Sequence, residues 1–274
     1  MALITIDETK CRRDGICAAE CPLNLIKAPD KQTFPAAREG AEQSCVRCGH
    51  CVAVCPHGAL SLAGMRPEDC APAAAAMLPS PEQAEHLLRT RRSIRVYKDK
   101  PLGRETIAHL IDIARYAPSG HNNQLVEWLV VYDGNDVQRY AALVIDWARY
   151  MIREHPEAAA GYHMDVLVKA WEKGRDRICR NAPHVVVAHG PAGNPAVPTT
   201  CVIAMTYLEL AAAAHRVGAC WAGYFNRAAA DWPPLKEALG LPAGNTAYGS
   251  MMLGYPKYPY HRIPLRKEAK VVWK

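Results

Sequence analysis

Cys45-Val-Arg-Cys48-Gly-His-Cys51-Val-Ala-Val-Cys55-Pro56 is the stretch that decides the reading of this chain. Its spacing is C-x2-C-x2-C-x3-C-P, the pattern in which three thiolates grip one iron-sulfur cube and the fourth cysteine reaches to a second. Two-residue spacings wrap the backbone tightly round a cube, so that its amides point at the sulfides and offset their negative charge. Pro56 then turns the chain away. Zinc sites are typically built from two separated C-x2-C knuckles, which this run is not.

Upstream, Cys11-Arg-Arg-Asp14-Gly-Ile-Cys17-Ala-Ala-Glu-Cys21-Pro22 repeats the frame with Asp14 where the second thiolate is expected, as in an internal duplication. Crossed ligation assigns Cys11, Cys17 and Cys55, with or without Asp14, to one cluster and Cys21, Cys45, Cys48 and Cys51 to the other. A carboxylate is a harder ligand than a thiolate and holds that iron more weakly, so the first cluster is 4Fe-4S or 3Fe-4S. Alternatively, Asp14-Gly15 merely makes a turn. The segment resembles a bacterial two-cluster ferredoxin over about the first 60 residues, in all seven cysteines and both following prolines. So small a domain has little core of its own, and cluster binding contributes much of its folding energy.

The whole chain has 274 residues, half of them hydrophobic, and 33 Lys plus Arg against 27 Asp plus Glu, a net charge of +6. That composition excludes intrinsic disorder. Seven of the eleven cysteines lie between Cys11 and Cys55, a clustering that suits metal better than a disulfide framework. No apolar run approaches the roughly 18 residues of a membrane span, and the opening residues lack a signal pattern. A cytoplasmic protein with no membrane partner is therefore expected. Residues 255–274 carry six Lys or Arg against Glu268, and residues 89–104 carry seven against Asp99. Two basic clusters imply a bound anion, and a small anion is expected rather than nucleic acid.

Three regions separate by composition: 1–64, rich in cysteine; 65–81, a linker with four prolines and five alanines; and 82–274, the larger domain. In the last, the spacing of Ile107, Leu110, Ile111 and Ala114 predicts a helix over 105–116, followed by a polar loop. LVEWLVVY (125–132) and HVVVAH (184–189) read as buried strands, and 200–217 as a long Ala-rich helix. Residues 246–253 and 271–273 are weaker strand candidates. The fold class expected is α+β: a small ferredoxin-like two-cluster domain, then a mixed α/β domain.

Arg91-Arg92-Ser93-Ile94-Arg95-Val96-Tyr97, the loop Ala117-Pro118-Ser119-Gly120-His121-Asn122-Asn123-Gln124, Gly218-Ala-Cys220-Trp221-Ala222-Gly223, Gly254-Tyr-Pro256 and Arg262-Ile-Pro264 follow one another in this order. Together they resemble the nitroreductase family over residues 82–274. The resemblance implies FMN, its phosphate and ring flanked by Arg91, Arg92, Ser93, Arg95 and Arg262, residue types suited to an anion. It also implies a homodimer in which Pro118, Ser119, Gly120 and Asn122 come from the partner subunit, and a backbone near flavin N5 formed by Cys220, Trp221, Ala222 and Gly223. Tyr260 stands where some members carry a second cation. His121 is weighed as an acid and set below a bystander role. Cys179, Cys201 and most of the tryptophans read as core. No G-x-G-x-x-G or P-loop is present, and NAD(P)H can still serve by stacking on FMN.

The function expected is an FMN-dependent iron-sulfur oxidoreductase. It passes electrons from a low-potential donor such as ferredoxin through two clusters to FMN, for two-electron reduction of a small nitro, quinone, alkene or halogenated aromatic acceptor. The alternatives are reverse flow, from NAD(P)H through FMN to the clusters and an external ferredoxin, and a redox sensor or electron-transfer subunit without turnover.

Overall fold

The computed structural model describes residues 2–274. The backbone divides into two compact units, Met1–Leu78 with Gly120–Asn123, and Pro79–Ser119 with Gln124–Lys274.

The smaller unit is built twice over. β1 (Ile4–Ile6) pairs antiparallel with β4 (Leu60–Leu62), and β2 (Ile26–Lys27) with β3 (Ala36–Ala37). One-turn helices α1 (Ile16–Ala19) and α3 (His50–Ala53) follow the two cysteine frames, with α2 (Ala41–Ser44) between them. The backbone repeats at the offset that separates Cys11 from Cys45: Arg13 and Arg47 have φ of 57° and 50°, and Gly15 and Gly49 both have φ of 76°. Glycine is needed where each frame turns into its helix, because a side chain is strained there and a Cβ on Gly49 would lie 2.8 Å from Met65 Sδ. The apolar core is small, comprising Leu3, Ile26, Ala41, Val52, Leu60 and Leu62 with the Cys17 and Cys51 side chains. Residues 65–78 hold two single 3-10 turns, Pro67–Asp69 and Ala75–Met77.

The larger unit is a four-stranded antiparallel sheet, in the order β5 (Glu127–Val131), β6 (His184–Pro191), β8 (Asn245–Gly254), β7 (Gly218–Trp221). Helices cover both faces, which is why β6 is buried along nearly its whole length. Successive residues of a strand face opposite ways. Thus Val185 and Val187 meet α6 (Gly134–Glu154), α8 (Met164–Trp171), α10 (Gly223–Asp231) and α11 (Pro233–Leu239), while Val186 and Ala188 meet α5 (Arg104–Ala114) and α9 (Val197–Ala214). The exposed helix α4 (Pro81–Thr90) opens the unit behind a Ser80–Gln83 capping box, and α7 (Pro156–Gly161) joins α6 to α8.

Three expectations change. The long helix begins at Val197 and ends at Ala214, because Gly218 must already enter β7. Residues 271–273 form no strand: they have no paired neighbour, and Val272 and Trp273 are exposed. By length and composition α9 could cross a membrane, contrary to the expectation that no run comes close; half of it is buried, packed on the sheet.

His184 ties the sheet to the segment before α5. Fully buried, it accepts the Leu102 N–H at Nε2 (2.8 Å) and donates from Nδ1 to the Tyr132 carbonyl (2.7 Å). The two partners fix the neutral tautomer, and a second proton would point at the Leu102 N–H. Burial lowers the His184 pKa from its ordinary 6.5, against the Tyr132 carbonyl, which raises it. The unfolded chain therefore binds the proton more readily, and this contribution, complete above 6.5, is lost as pH falls. Denaturation midpoints at about pH 7 and about pH 5 should show the loss. His184→Phe should remove this part of the pH dependence while costing roughly 1–3 kcal/mol for each stranded partner; an unchanged pH slope in the variant would contradict this role.

Candidate functional site

In the smaller unit one of the two expected donor sets lines a common cavity, and members of the other lie near enough to Cys17 to perturb it. Cys21, Cys45, Cys48 and Cys51 line one apolar cavity, which Leu3 and Leu62 close. Burial pushes the Cys51 thiol up to about 11, and Cys48 and Cys45 add to the rise. On the other side, burial raises the Cys17 pKa, and the negative charge of Cys55, Asp14 and Cys11 raises it further. Crowded donors of this kind are stabilised by metal cations, each thiol losing its proton on coordination. Backbone N–H groups already point at sulfur at matching places in the repeat: Leu25 N–H on Cys21 Sγ and Ala59 N–H on Cys55 Sγ, both at 3.3 Å. The donors fit iron-sulfur clusters, with sulfur ligands and amides that offset the cluster charge.

Asp14 occupies the position of Cys48 in the repeat. One carboxylate oxygen, Oδ1, accepts the Ile16 N–H at 3.2 Å and so builds the turn into α1. The turn role leaves room for ligation, because the second oxygen takes no part in that bond.

In the larger unit the arginine segment is strapped along the sheet. Ser93 pairs in parallel with Ala219 of β7, the Ile94 N–H donates to the Ala219 carbonyl at 2.9 Å, and Tyr97 pairs with Pro256. This brings Ser93 and Arg95 to Cys220. Burial raises the Cys220 thiol, against the Arg95 and Arg180 guanidiniums and a Ser93 hydrogen bond. Arg91 Nη1 donates to Glu209 Oε1 at 2.8 Å, and Glu209 is nearly buried on α9. Arg92 Nη2 donates to the Arg89 carbonyl at 3.1 Å, whereas its Nε is buried with no partner. A cavity of about 470 Å³ is lined by Arg89, Arg91, Arg92 and Arg266, with Ile263 and Leu265 on its apolar side. An orphaned guanidinium donor on one of four clustered arginines fits an anionic group such as a phosphate.

The remaining residues are placed as follows. Arg262 and Tyr260 lie in the exposed, irregular tail just before the segment that lines the arginine cavity. Cys220 and Trp221 are on β7, Ala222 is the N-cap of α10, and Gly223 starts it. A Cβ on Gly223 would meet nothing within 4 Å, so space is open there. Ser119 Oγ accepts the Gln124 N–H and lines a different cavity, with Trp128 and Thr200, so it does not join the arginines within one chain. Pro118 is exposed beside it. Gly120, His121 and Asn122 group with the smaller unit, and the Asn122 amide is bound to the Val46 and Arg47 carbonyls there. Exposed His121, with φ of 51°, provides no buried acid. Cys179 and Cys201 are core thiols; burial raises both, Cys201 to about 12.

Glu209, Arg180, Arg89 and Arg266 belong to the site without having been singled out. Glu209 carried a signal, as the one acid in the Ala-rich stretch 200–217; Arg89 and Arg266 lay inside the two basic clusters.

Residues 88–255 match the nitroreductase family, and residues 3–56 match a 4Fe-4S dicluster domain. A relative from Archaeoglobus fulgidus, named as an NADH dehydrogenase/NAD(P)H nitroreductase, is 27% identical over 181 residues, covering 64% of this chain and 87% of the relative. The crystal structure of a Bacteroides fragilis nitroreductase with bound FMN superposes with a TM-score of 0.57 at 17% identity, over 70% of this chain and 99% of that one. A Desulfitobacterium hafniense nitroreductase with bound FMN gives 0.55 at 22% identity, over 69% and 97%. These likenesses show the fold of the larger unit.

Because Asp14 shares its carboxylate with the turn, it should hold iron weakly. Asp14→Cys is expected to raise bound iron by about one atom per chain after anaerobic reconstitution, with a sharpened 4Fe-4S spectrum. Iron content and spectra equal to those of the parent protein would contradict this.

Proposed function

The chain belongs to the nitroreductase family, and from that premise we propose that it is an iron-sulfur flavoenzyme that carries single electrons from a low-potential donor to a two-electron reduction of a small organic acceptor. The observation that carries this reading is the presence, in one chain, of two four-donor sets for clusters and an arginine cavity with an orphaned buried guanidinium nitrogen. Bound FMN supplies the exchange between one-electron and two-electron chemistry.

The chain's own residues then have distinct tasks. Arg92, with its unpartnered Nε, and Arg91 bind the flavin phosphate, while Arg89, Arg262 and Arg266 add positive potential from the tail and α4. Glu209 holds the Arg91 guanidinium in one orientation, so that its remaining donors keep a fixed direction. Ser93 and Arg95, fixed along β7, set the edge of the site beside Cys220. The open space at Gly223 leaves room for a flat ring against the backbone. No obligatory side-chain acid is assigned, and protons come from solvent. Nitroaromatics, quinones, activated alkenes and halogenated aromatics all suit a flavin face open to solvent.

A homodimer is part of the reading. Val202 and Tyr207 leave an apolar face of α9 exposed, and the tail holds the exposed Ile263, Leu265, Val272 and Trp273. Surfaces of this kind mark association sites.

The name carried by the Archaeoglobus fulgidus relative favours a second reading, in which NAD(P)H is the reductant and electrons leave through the clusters. An anaerobic titration of fully loaded protein separates the two. Dithionite is expected to reduce clusters and flavin together, with about seven irons and one FMN per chain if the Asp14 site lacks its fourth iron and about eight if it keeps it, while NADH and NADPH leave the visible spectrum unchanged. Bleaching of the flavin by NAD(P)H ahead of the clusters would reverse the direction of flow.

A further inference from the structure

Asn122 lies in the loop that the family resemblance gives to the flavin, yet both hydrogens of its side-chain amide are committed elsewhere. Nδ2 donates to the Val46 carbonyl at 3.2 Å and to the Arg47 carbonyl at 3.1 Å. Those carbonyls belong to two of the three peptide groups between Cys45 and Cys48, the ones on either side of Arg47, within the same compact unit.

We propose that Asn122 is a positioning residue of the four-cysteine cluster: its amide locks the two peptides on either side of Arg47 with their N–H groups turned to the thiolate side, which raises that cluster's reduction potential. This rests on the reading that Cys21, Cys45, Cys48 and Cys51 hold a cluster.

Three observations carry it. Every peptide here is trans, so the C=O and N–H of one plane point in opposite directions. With the Val46 and Arg47 carbonyls held by Asn122, the N–H groups of Arg47 and Cys48 are turned away from it. Cys45 and Cys48, which flank these peptides, line the cavity that the four cysteines share, and Asn122 does not. Amides directed at cluster sulfur stabilise the more negative, reduced state and raise the potential. Second, Arg47 has φ of 50°, a conformation unfavourable for a side chain that size, and the paired bonds hold it there.

Third, the duplication provides an internal control. Arg13 repeats the left-handed backbone with φ of 57°, but among the described residues no side chain donates to the Arg12 or Arg13 carbonyl; the Arg13 guanidinium instead reaches the Lys31 carbonyl and the Phe34 ring. The lock therefore acts on one cluster of the two. Its source is a loop whose chain neighbours, Ser119 and Gln124, belong to the larger unit.

The test is a redox titration of the fully loaded protein followed by electron paramagnetic resonance, comparing the parent with Asn122→Asp and Asn122→Gly. Both replacements suit the left-handed backbone of Asn122, φ 54°, and both remove the donor. At the parent's midpoint, the reduced fraction of one cluster should fall relative to the oxidised by about tenfold, equivalent to about 59 mV for one electron. The signal that responds to Asp14→Cys should stay in place, with iron content unchanged. Two unmoved potentials, or equal shifts in both clusters, would overturn the proposal. So would loss of FMN at unchanged potentials, which would return Asn122 to a flavin role. Failure to find two clusters at all would instead defeat the reading on which the inference rests.

Discussion

Like charges held together without a partner are unstable, and this chain gathers them twice. Around the cysteine frames, four anionic donors converge on each side of a unit whose apolar core is eight residues. Around Arg91 and Arg92, guanidiniums converge on one cavity, and Glu209 neutralises one of them. In the proposed function each crowd receives a counter-charge from a bound group: iron for the thiolates, a phosphate for the arginines. That requirement connects fold to function. The antiparallel strand pairs and αL turns of the small unit serve to bring the donors together, and the sheet of the large unit serves as the strip on which residues 93–97 are strapped.

Much of this was legible because metal ligation and tight turns leave residue-level signatures. The crossed assignment of Cys21 to the Cys45–Cys51 frame followed from the known ligation pattern of the C-x2-C-x2-C-x3-C-P run, whose fourth cysteine serves the other cluster. The strands at 125–132 and 184–189 were legible because β-branched runs buried on both faces have few other fates. Glu209 was not, because an acid in an apolar helix has no spacing that names its partner, which lies more than a hundred residues away in Arg91. The tail at 271–273 misled for a related reason: Val-Val-Trp has strand propensity, yet a strand also needs a neighbour to accept its hydrogen bonds. The loop 118–124 was legible as a motif but not as a structure, since which unit Asn122 would bind depends on carbonyls carried by a distant turn.

The duplicated small unit shows how one substitution divides equal halves. Both frames keep the same left-handed residues and the same short helices, but one carries Asp14 as donor and turn-former, whereas the other carries Cys48 and a side-chain clamp on its peptides. Two clusters with different donors and different amide environments have different potentials.

The central claim is that clusters and flavin form one electron path in this protein. The most direct test reduces the clusters anaerobically in protein stripped of FMN, removes excess reductant, and follows cluster absorption after a nitroaromatic is added, before and after FMN is restored. The account predicts that the clusters keep their electrons without FMN and are reoxidised, with the nitro compound reduced, once FMN is restored. Reoxidation at the same rate without FMN, or clusters that stay reduced while the restored flavin turns over, would contradict it.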